Sequence, residues 1–372
     1  MILVNNPGSW AHIHPPLRHA QWHGLTPTDL VFPFFLFIVG VAISLSFGRR
    51  LADGATRGDL VRKIVSRSVI IFALGLFLNG FPFNIPLNST MAADFSLARI
   101  PESLTDIRIP GVLQRIALCY LLAGLAVVLT GRNRNRALVA VGFLVLYELL
   151  MRLPLVPGWG AGSFALADNF VKWADLHLLG AVHLYKEGDV VFDPEGLVST
   201  LPAAATTMAG YFVGEYIRGP QPLATKLRRL GLAGSSLAVA GLLVCPLEPV
   251  NKKLWTTSYV LLTGGVAMVT LAFSSWMIDV RKWRAGTLPP VVFGSNPLVV
   301  FVGSGILARM LILVQTTNAQ GQTVSLNRWM YEGIFVPVAG LVNGSLLYAV
   351  TNVLFWLGIL WILYRKKLFI KI

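Results

Sequence analysis

Charge is what this chain has least of. Only 13% of its 372 residues are Asp, Glu, Lys or Arg, about half the roughly 25% of a soluble domain. A water-soluble fold of this length needs a charged surface that the chain does not supply. Acidic residues are the scarcer sign, 17 against 31 Lys and Arg, and the net charge of +14 raises nucleic acid as a partner. Position argues against it, because the basic residues cluster at alternate ends of apolar runs, as the loops of a membrane protein do. Cysteine is scarce too. Cys119 and Cys245 both lie inside apolar segments and read as small buried hydrophobes, not as a disulfide or metal ligands. A secretory leader is not legible at the start.

What is abundant is apolar residues, 55% of the chain, in runs of ~20 that match ~30 Å of hydrocarbon. The expected fold is therefore all-α, a polytopic transmembrane helical bundle forming a single domain over residues 1–372. About nine full spans are expected, near 30–48, 64–82, 110–130, 137–156, 197–217, 230–247, 257–278, 288–313 and 345–364. Residues 1–4 read as the tail of a helix, closed at once by Asn5-Asn6-Pro7-Gly8. Four apolar residues span nothing, so a truncated first helix is expected, of which only the remnant is present.

The connectors after the first, third, fifth, seventh and ninth spans are basic, carrying Arg49, Arg50, Arg57, Arg62, Lys63 and Arg67, then Arg132, Arg134 and Arg136, then Arg218, Lys226, Arg228 and Arg229, then Arg281, Lys282 and Arg284, and finally Arg365, Lys366, Lys367 and Lys371. Parity and charge bias agree, so these face the cytosol together with the C-terminus. Residues 5–29, 83–109, 157–196, 248–256 and 314–333 then face the opposite side. Trp22, Trp159, Trp173, Trp255 and Trp329 sit near span ends on that face, as interfacial anchors do.

That outer face holds the unusual chemistry. Four of the six histidines, His12, His14, His19 and His23, fall within residues 5–29 with Trp10, Trp22 and Asp29. Imidazole accepts and returns a proton near neutral pH and can carry an acyl group. Three readings stand open: a solvated loop, a metal site from His12-x-His14 and His19-x3-His23, and catalysis. No cysteine and few carboxylates support the metal. Asp29, after Thr26-Pro27-Thr28, suits a helix N-terminus and is also placed to orient a histidine.

Polar groups also occur inside the spans, where each charge costs about 2.5–3.5 kcal/mol. Glu148 and Arg152, four apart, can satisfy each other, and Glu215, Asn296 and Arg309 lie at some depth. Arg115, beside Gln114, has no local acidic partner and suits either the phosphate of a cofactor or an interhelical pair. Lys252 and Lys253 break the charge bias on the outer face and suit lipid headgroups or a carboxylated or sulfated acceptor.

The run His19-Ala-Gln-Trp22-His-Gly24-Leu-Thr26-Pro-Thr-Asp29-Leu-Val-Phe-Pro33-Phe-Phe-Leu-Phe-Ile-Val-Gly40 closely resembles the signature of the heparan-α-glucosaminide N-acetyltransferase family of transmembrane acyltransferases. Ile109-Pro-Gly-Val-Leu-Gln114-Arg115-Ile, Phe192-Asp193-Pro194-Glu195-Gly196-Leu, Asn251-Lys-Lys-Leu-Trp255-Thr, Gly294-Ser-Asn296-Pro and the terminal Phe369-Ile-Lys-Ile resemble its bacterial branch. The resemblance implies acetyl-CoA as co-substrate, entering from the cytosol, and an amino sugar or envelope glycan as acceptor on the non-cytosolic face, with no metal. It implies catalysis by His19 with Asn5 lining the site, Asp29 completing the catalytic set, and a substrate and cofactor region comprising Trp22, His23, Gln114, Arg115, Lys252, Lys253 and Asn296. The expected setting is a bacterial inner membrane with His19 periplasmic, with a second copy of the chain as a candidate partner. The rival reading is a transporter of a sugar or related small molecule without acyl chemistry, for which inverted repeats are expected; none is visible by eye.

Orientation is testable without structure. With Cys119 and Cys245 replaced, a cysteine at position 19 is expected to react with an impermeant thiol reagent from outside, and one at position 134 only after permeabilisation. Labelling of both from the same side overturns the orientation.

Overall fold

The computed structural model of this protein describes residues 1–83, 105–153, 156 and 161–370. Trp159, most of the connector at 83–109, the last residues of the span expected at 137–156 and the end of the terminal motif lie outside the described residues.

Helices occupy the middle of every expected span. After a one-turn helix α1 (Ile2–Asn5), a 3-10 turn over Pro27–Leu30 leads directly into α2 (Val31–Ala52). There follow α3 (Arg57–Gly80), α4 (Val112–Leu129), α5 (Asn133–Arg152), the short α6 (Phe170–Leu179), α7 (Thr200–Arg218), α8 (Leu223–Val244) and α9 (Thr257–Ser275). The last part of the chain holds α10 (Leu288–Ser295), α11 (Pro297–Leu313), α12 (Leu326–Met330) and α13 (Val336–Arg365). Among the described residues strand is confined to two antiparallel ribbons: β1 (Lys186–Glu187) with β2 (Val190–Val191), and β3 (Gln315–Thr317) with β4 (Thr323–Ser325).

Among the described residues five helical segments can cross a membrane by length and apolar composition, among them Pro27–Arg50, Val112–Leu129 and Thr257–Val280, or six if the pair α10–α11 is one broken span. This is an all-α membrane protein. Three further helices, α3, α5 and α7, are 24, 20 and 19 residues long but fall outside that set. All three carry polar residues: α3 has Arg57, Asp59, Arg62, Lys63 and Arg67 in its first half, α5 opens Asn-Arg-Asn-Arg, and α7 carries Thr206, Thr207 and Glu215.

Helix boundaries follow local chemistry. Thr56 caps α3: its hydroxyl accepts from the Asp59 N–H (3.1 Å) while the Asp59 carboxylate accepts from the Thr56 N–H (2.9 Å). The 81° bend between α10 and α11 falls at Asn296-Pro297, where proline lacks an N–H and bars its predecessor from the helical region. Asn296 holds the bend: its amide donates to the Leu368 carbonyl (3.0 Å) and its carbonyl accepts from the Ile370 N–H (2.8 Å). α13 breaks at Gly340, whose φ of 74° is open to glycine at no steric cost.

Packing between helices is made by small residues. α2 and α7 run parallel in close contact: a Cβ on Gly40 would strike the Thr207 carbonyl, one on Gly210 the Phe37 carbonyl, and one on Gly214 the Ser44 side chain at 2.7 Å. α8 and α9 approach in the same way at Gly234, Gly241 and Gly265. Lipid tails are as apolar as leucine, so close backbone approach rather than water exclusion holds such helices together. Basic side chains gather at one end of this bundle. Arg218 donates to the Ser44 carbonyl (3.2 Å) and to Glu215 (2.8 Å), and Arg136 donates to the Tyr211 hydroxyl (2.8 Å). The opposite end of α2 carries the polar loop described next.

Gly210→Leu is expected to force α2 from α7 and destabilise the protein by about 1–3 kcal/mol, read as a lowered Tm in detergent. Gly142→Leu, where a Cβ meets nothing within 4 Å, is the control and is expected to leave Tm unchanged.

Candidate active site

Asp29 is the third residue of the turn that starts α2, and its carboxylate caps that turn. One oxygen accepts from the N–H of Thr26 (3.1 Å), the hydroxyl of Thr26 (3.0 Å) and the N–H of Ala20 (3.1 Å). Its other oxygen receives His19 Nδ1 at 2.6 Å. The Tyr259 hydroxyl anchors the backbone by donating to the Asp29 carbonyl (2.6 Å). Asp29 is only 1% exposed whereas His19 is 39% exposed, so the carboxylate is the fixed partner and the imidazole reaches outward from it.

Lys252 Nζ lies 2.9 Å from the same Nδ1 and 3.4 Å from the same Asp29 oxygen. Nδ1 cannot donate to the carboxylate and accept from the ammonium at once. The shorter contact, to an anion, decides: Nδ1 carries the proton and donates to Asp29, and Lys252 approaches because it is drawn to the same oxygen. Nε2 is then the unprotonated nitrogen, able to take a proton, with Lys252 Nζ 3.5 Å away. Burial pulls the Lys252 ammonium below its ordinary pKa, opposed by the charges of Asp29 and Glu195.

The loop that delivers Lys252 is tightly wound. Asn251 accepts from the Leu254 N–H (2.9 Å) and its own N–H donates to the Thr256 hydroxyl (3.0 Å). Trp255 adopts a φ of 56°, a costly conformation for a bulky residue. The ring is held in compensation: it is buried against Phe32 and Tyr259, and its N–H donates to Thr206 (3.2 Å). Lys253 turns the other way, donating to the Gln21 carbonyl (2.6 Å) and Glu187 (2.7 Å).

These groups line a cavity of about 450 Å³, which also receives Asn5, Trp22, Asp29, Arg108, Tyr185, Glu187 and Glu195. The size suits a small organic ligand. Arg108 is a residue that sequence reasoning passed over. It grips Asp193 through two parallel hydrogen bonds (2.8 and 2.7 Å), reaches Glu195 (2.6 Å) and lies over the Tyr185 ring. Burial works against its charge, but the two carboxylates outweigh it and hold its pKa above the ordinary arginine value. The signal in the sequence was the Asp193-Pro194-Glu195 run, which had no cation assigned to it.

The remaining expected site residues divide. Asn5, Trp22, Lys252 and Lys253 line the cavity with His19 and Asp29. His23 stands just behind, within 3.3 Å of the Asn251 amide, and burial lowers its pKa. Gln114 lines an adjoining cavity of about 240 Å³ that shares Asn5 and Arg108 with the first. Arg115 reaches neither: it is 1% exposed, lies over the Trp255 ring and donates to the Gly196 carbonyl (3.0 Å) and the Ser199 hydroxyl. Asn296 sits at the α10–α11 bend, among the residues of the C-terminal segment. Glu148 and Arg152 pair with each other at 2.7 Å. Among the described residues no three His, Cys, Asp or Glu side chains converge as a metal site; His14 instead contacts Asn343 (3.0 Å).

Beneath Arg108, Asp175 buttresses the 193–197 turn by accepting from the Leu197 N–H (2.9 Å), pressed so closely on Gly196 that a Cβ there would strike its carboxylate. Burial first, then nearby Asp193, pushes its pKa up to about 7. In the folded protein it therefore keeps a proton that the unfolded chain releases at about pH 4. Its contribution to stability is present at low pH and lost as pH rises towards 7, at about 1.4 kcal/mol for each tenfold difference in proton affinity between the folded and unfolded chain. Glu248, raised by burial and by Glu148, acts in the same direction. Tm is expected to fall between pH 5 and pH 8, and Asp175→Asn to flatten that fall; an equal slope in both proteins refutes the assignment.

Over its whole length the chain is similar to the human protein Heparan-alpha-glucosaminide N-acetyltransferase, with 27% identity over 422 aligned positions, 100% of this chain and 58% of the human protein. The mouse protein of the same name is 24% identical over 421 positions, with the same coverage. The chain thus spans 58% of the length of the curated relatives it matches. No family model matches it.

Proposed function

We propose that this relative of the heparan-α-glucosaminide N-acetyltransferases is a transmembrane acyltransferase that moves an acetyl group from cytosolic acetyl-CoA to an amino sugar or envelope glycan on the non-cytosolic face. The observation that carries this reading is the Asp29–His19 pair at the wall of the 450 Å³ cavity. A carboxylate that fixes the tautomer of an imidazole leaves its far nitrogen as a positioned base.

In this reading His19 Nε2 takes the proton of the attacking amine as its nitrogen bonds to the thioester carbonyl carbon. The carbon–sulfur bond then breaks, and the same imidazolium returns the proton to the departing thiolate. Asn5, which lines both cavities, donates to the oxygen that becomes negative, a contribution of about 2.7–4 kcal/mol for comparable donors. Asp29 stabilises the imidazolium, and Lys252 balances the charge of Asp29. Trp22, with its N–H fixed on the Phe164 carbonyl (2.8 Å), gives the acceptor a flat wall, and Lys253 and His23 border it. Gln114 serves the donor. Arg115 and Asn296 act through the scaffold, since neither lines the two adjoining cavities.

The chain works as a single domain. In this reading the five apolar segments, the bent pair α10–α11 taken as one span and the helices α3, α5 and α7 make nine crossings, with the basic connectors and the C-terminus in the cytosol and His19 outside, in a bacterial inner membrane. A second copy of the chain is the partner considered in the membrane.

With labelled acetyl-CoA and glucosamine, His19→Ala is expected to abolish acetyl transfer while inserting normally, and Asp29→Asn to lower kcat by about 10²–10⁴-fold. Equal transfer by wild type and His19→Ala removes the catalytic assignment. Sugar flux into sealed vesicles without acetylation favours the transporter.

A further inference from the structure

Four lysine and arginine side chains border the two adjoining cavities among the described residues, and three of them are paired with carboxylates. Arg108 holds Asp193 and Glu195, Lys252 holds Asp29, and Lys253 holds Glu187. The fourth is Arg309, on α11, which lines the 240 Å³ cavity. Among the described residues it has no carboxylate partner, and its one hydrogen bond runs to the Gly305 carbonyl of its own helix (3.1 Å). A guanidinium within an apolar helix costs several kcal/mol unless something pairs with it. Two other arginines in long helices have an acid on the same helix, Arg152 with Glu148 and Arg218 with Glu215.

The same cavity holds a second unused donor. Gln114 is 2% exposed, and its Nε2 has no partner among the described residues. Its place is crowded by design: a Cβ on Gly75 or on Gly111 would strike its amide group, so the two glycines make room for it. Asn79, by contrast, spends its amide hydrogens on the carbonyls of Arg108 and Pro110 (both 2.8 Å). No Asp or Glu lines this cavity among the described residues. A wet, partly apolar chamber with a free guanidinium and a free amide, and no acid, is complementary to a ligand group that only accepts hydrogen bonds.

We infer that Arg309 and Gln114 form an oxyanion subsite beside the reaction cavity, which takes a phosphate, carboxylate or sulfate carried by one of the two substrates. This assignment rests on the proposed acyltransferase reading only for which substrate brings the anion; the anion site itself does not need the chemistry. The two chambers share Asn5 and Arg108, so a group bound here is tethered within one molecule's reach of His19. Arginine's planar fork matches an oxyanion in a way that lysine does not.

The test is direct binding to the full chain in detergent, read as the rise in Tm with added ligand. The probes are sodium sulfate, coenzyme A and glucuronate, with uncharged glucose as control. Wild type is expected to be stabilised by sulfate and by one of the two organic anions, and Arg309→Gln to weaken that binding at least tenfold with an unchanged ligand-free elution profile. Arg309→Lys is expected to recover only part of it. Gln114→Glu, which places a carboxylate in the same cavity, is expected to abolish it, and this variant serves if Arg309→Gln does not fold. Loss confined to coenzyme A assigns the donor's phosphates; loss confined to glucuronate assigns an acidic acceptor. Anion binding that is equal in wild type, Arg309→Gln and Gln114→Glu overturns the subsite. Arg309-dependent binding in a protein that transfers no acetyl group leaves the subsite standing and removes only the enzymatic reading.

Discussion

A buried carboxylate at the mouth of a membrane helix needs partners, and everything around Asp29 is arranged to supply them. Two backbone N–H groups, a hydroxyl, an imidazole and an ammonium converge on its two oxygens. In water each of these contacts would add little. At 1% exposure the carboxylate has no solvent to fall back on, so an unmade bond would cost the full desolvation of a charge. That requirement ties three separate segments together: the turn that starts α2, the histidine-bearing loop before it, and the lysine loop before α9. The geometry that a proton-transfer site needs follows from the geometry that a buried anion needs.

The second constraint is close approach without hydrophobic driving force. Glycines on α2, α7, α8 and α9 let backbones touch, and α2 and α9 then deliver their ends, Asp29 and the Asn251–Trp255 loop, to one place. The left-handed φ of Trp255 is held by this packing. Its ring lies between Phe32 and Tyr259 and under Arg115. Arg115 thereby gains a role in support of the loop that carries Lys252, which explains why a buried arginine lies so near the site without facing it.

Much of this was legible from residues alone. Low charge and runs of ~20 apolar residues point to helices in lipid, because a continuous apolar run of that length crosses the hydrocarbon as a helix that satisfies its own backbone groups, whereas a barrel strand is shorter and alternates. Asp29 after Thr26-Pro27-Thr28 marked the capping turn, because capping chemistry is local and repeats at fixed spacing, whereas its partner among the clustered histidines was singled out as His19 only by the family resemblance. The Glu148–Arg152 pair was readable for the same reason, four residues being one helical turn. The number of crossings was less readable. α3, α5 and α7 carry charged or polar residues among their apolar ones and stand apart from the five clear spans of the described residues.

Tertiary structure decided whatever depends on which helices are neighbours. Arg108 and the Asp193–Glu195 turn stand 85 and 87 residues apart, and no periodicity links them. Lys252 reaches His19 across 233 positions, so the sequence could mark both as out of place but could not join them. Gln114 and Arg115 are adjacent in the chain and opposite in role, since on a helix neighbouring residues point about 100° apart: one opens on a cavity, the other is sealed beneath a tryptophan. Composition and period determine that a segment is a helix and which residues are costly within it. Only packing determines what stands opposite them, because a charge in a low-dielectric interior takes its meaning from the nearest partner, not from its neighbours along the chain.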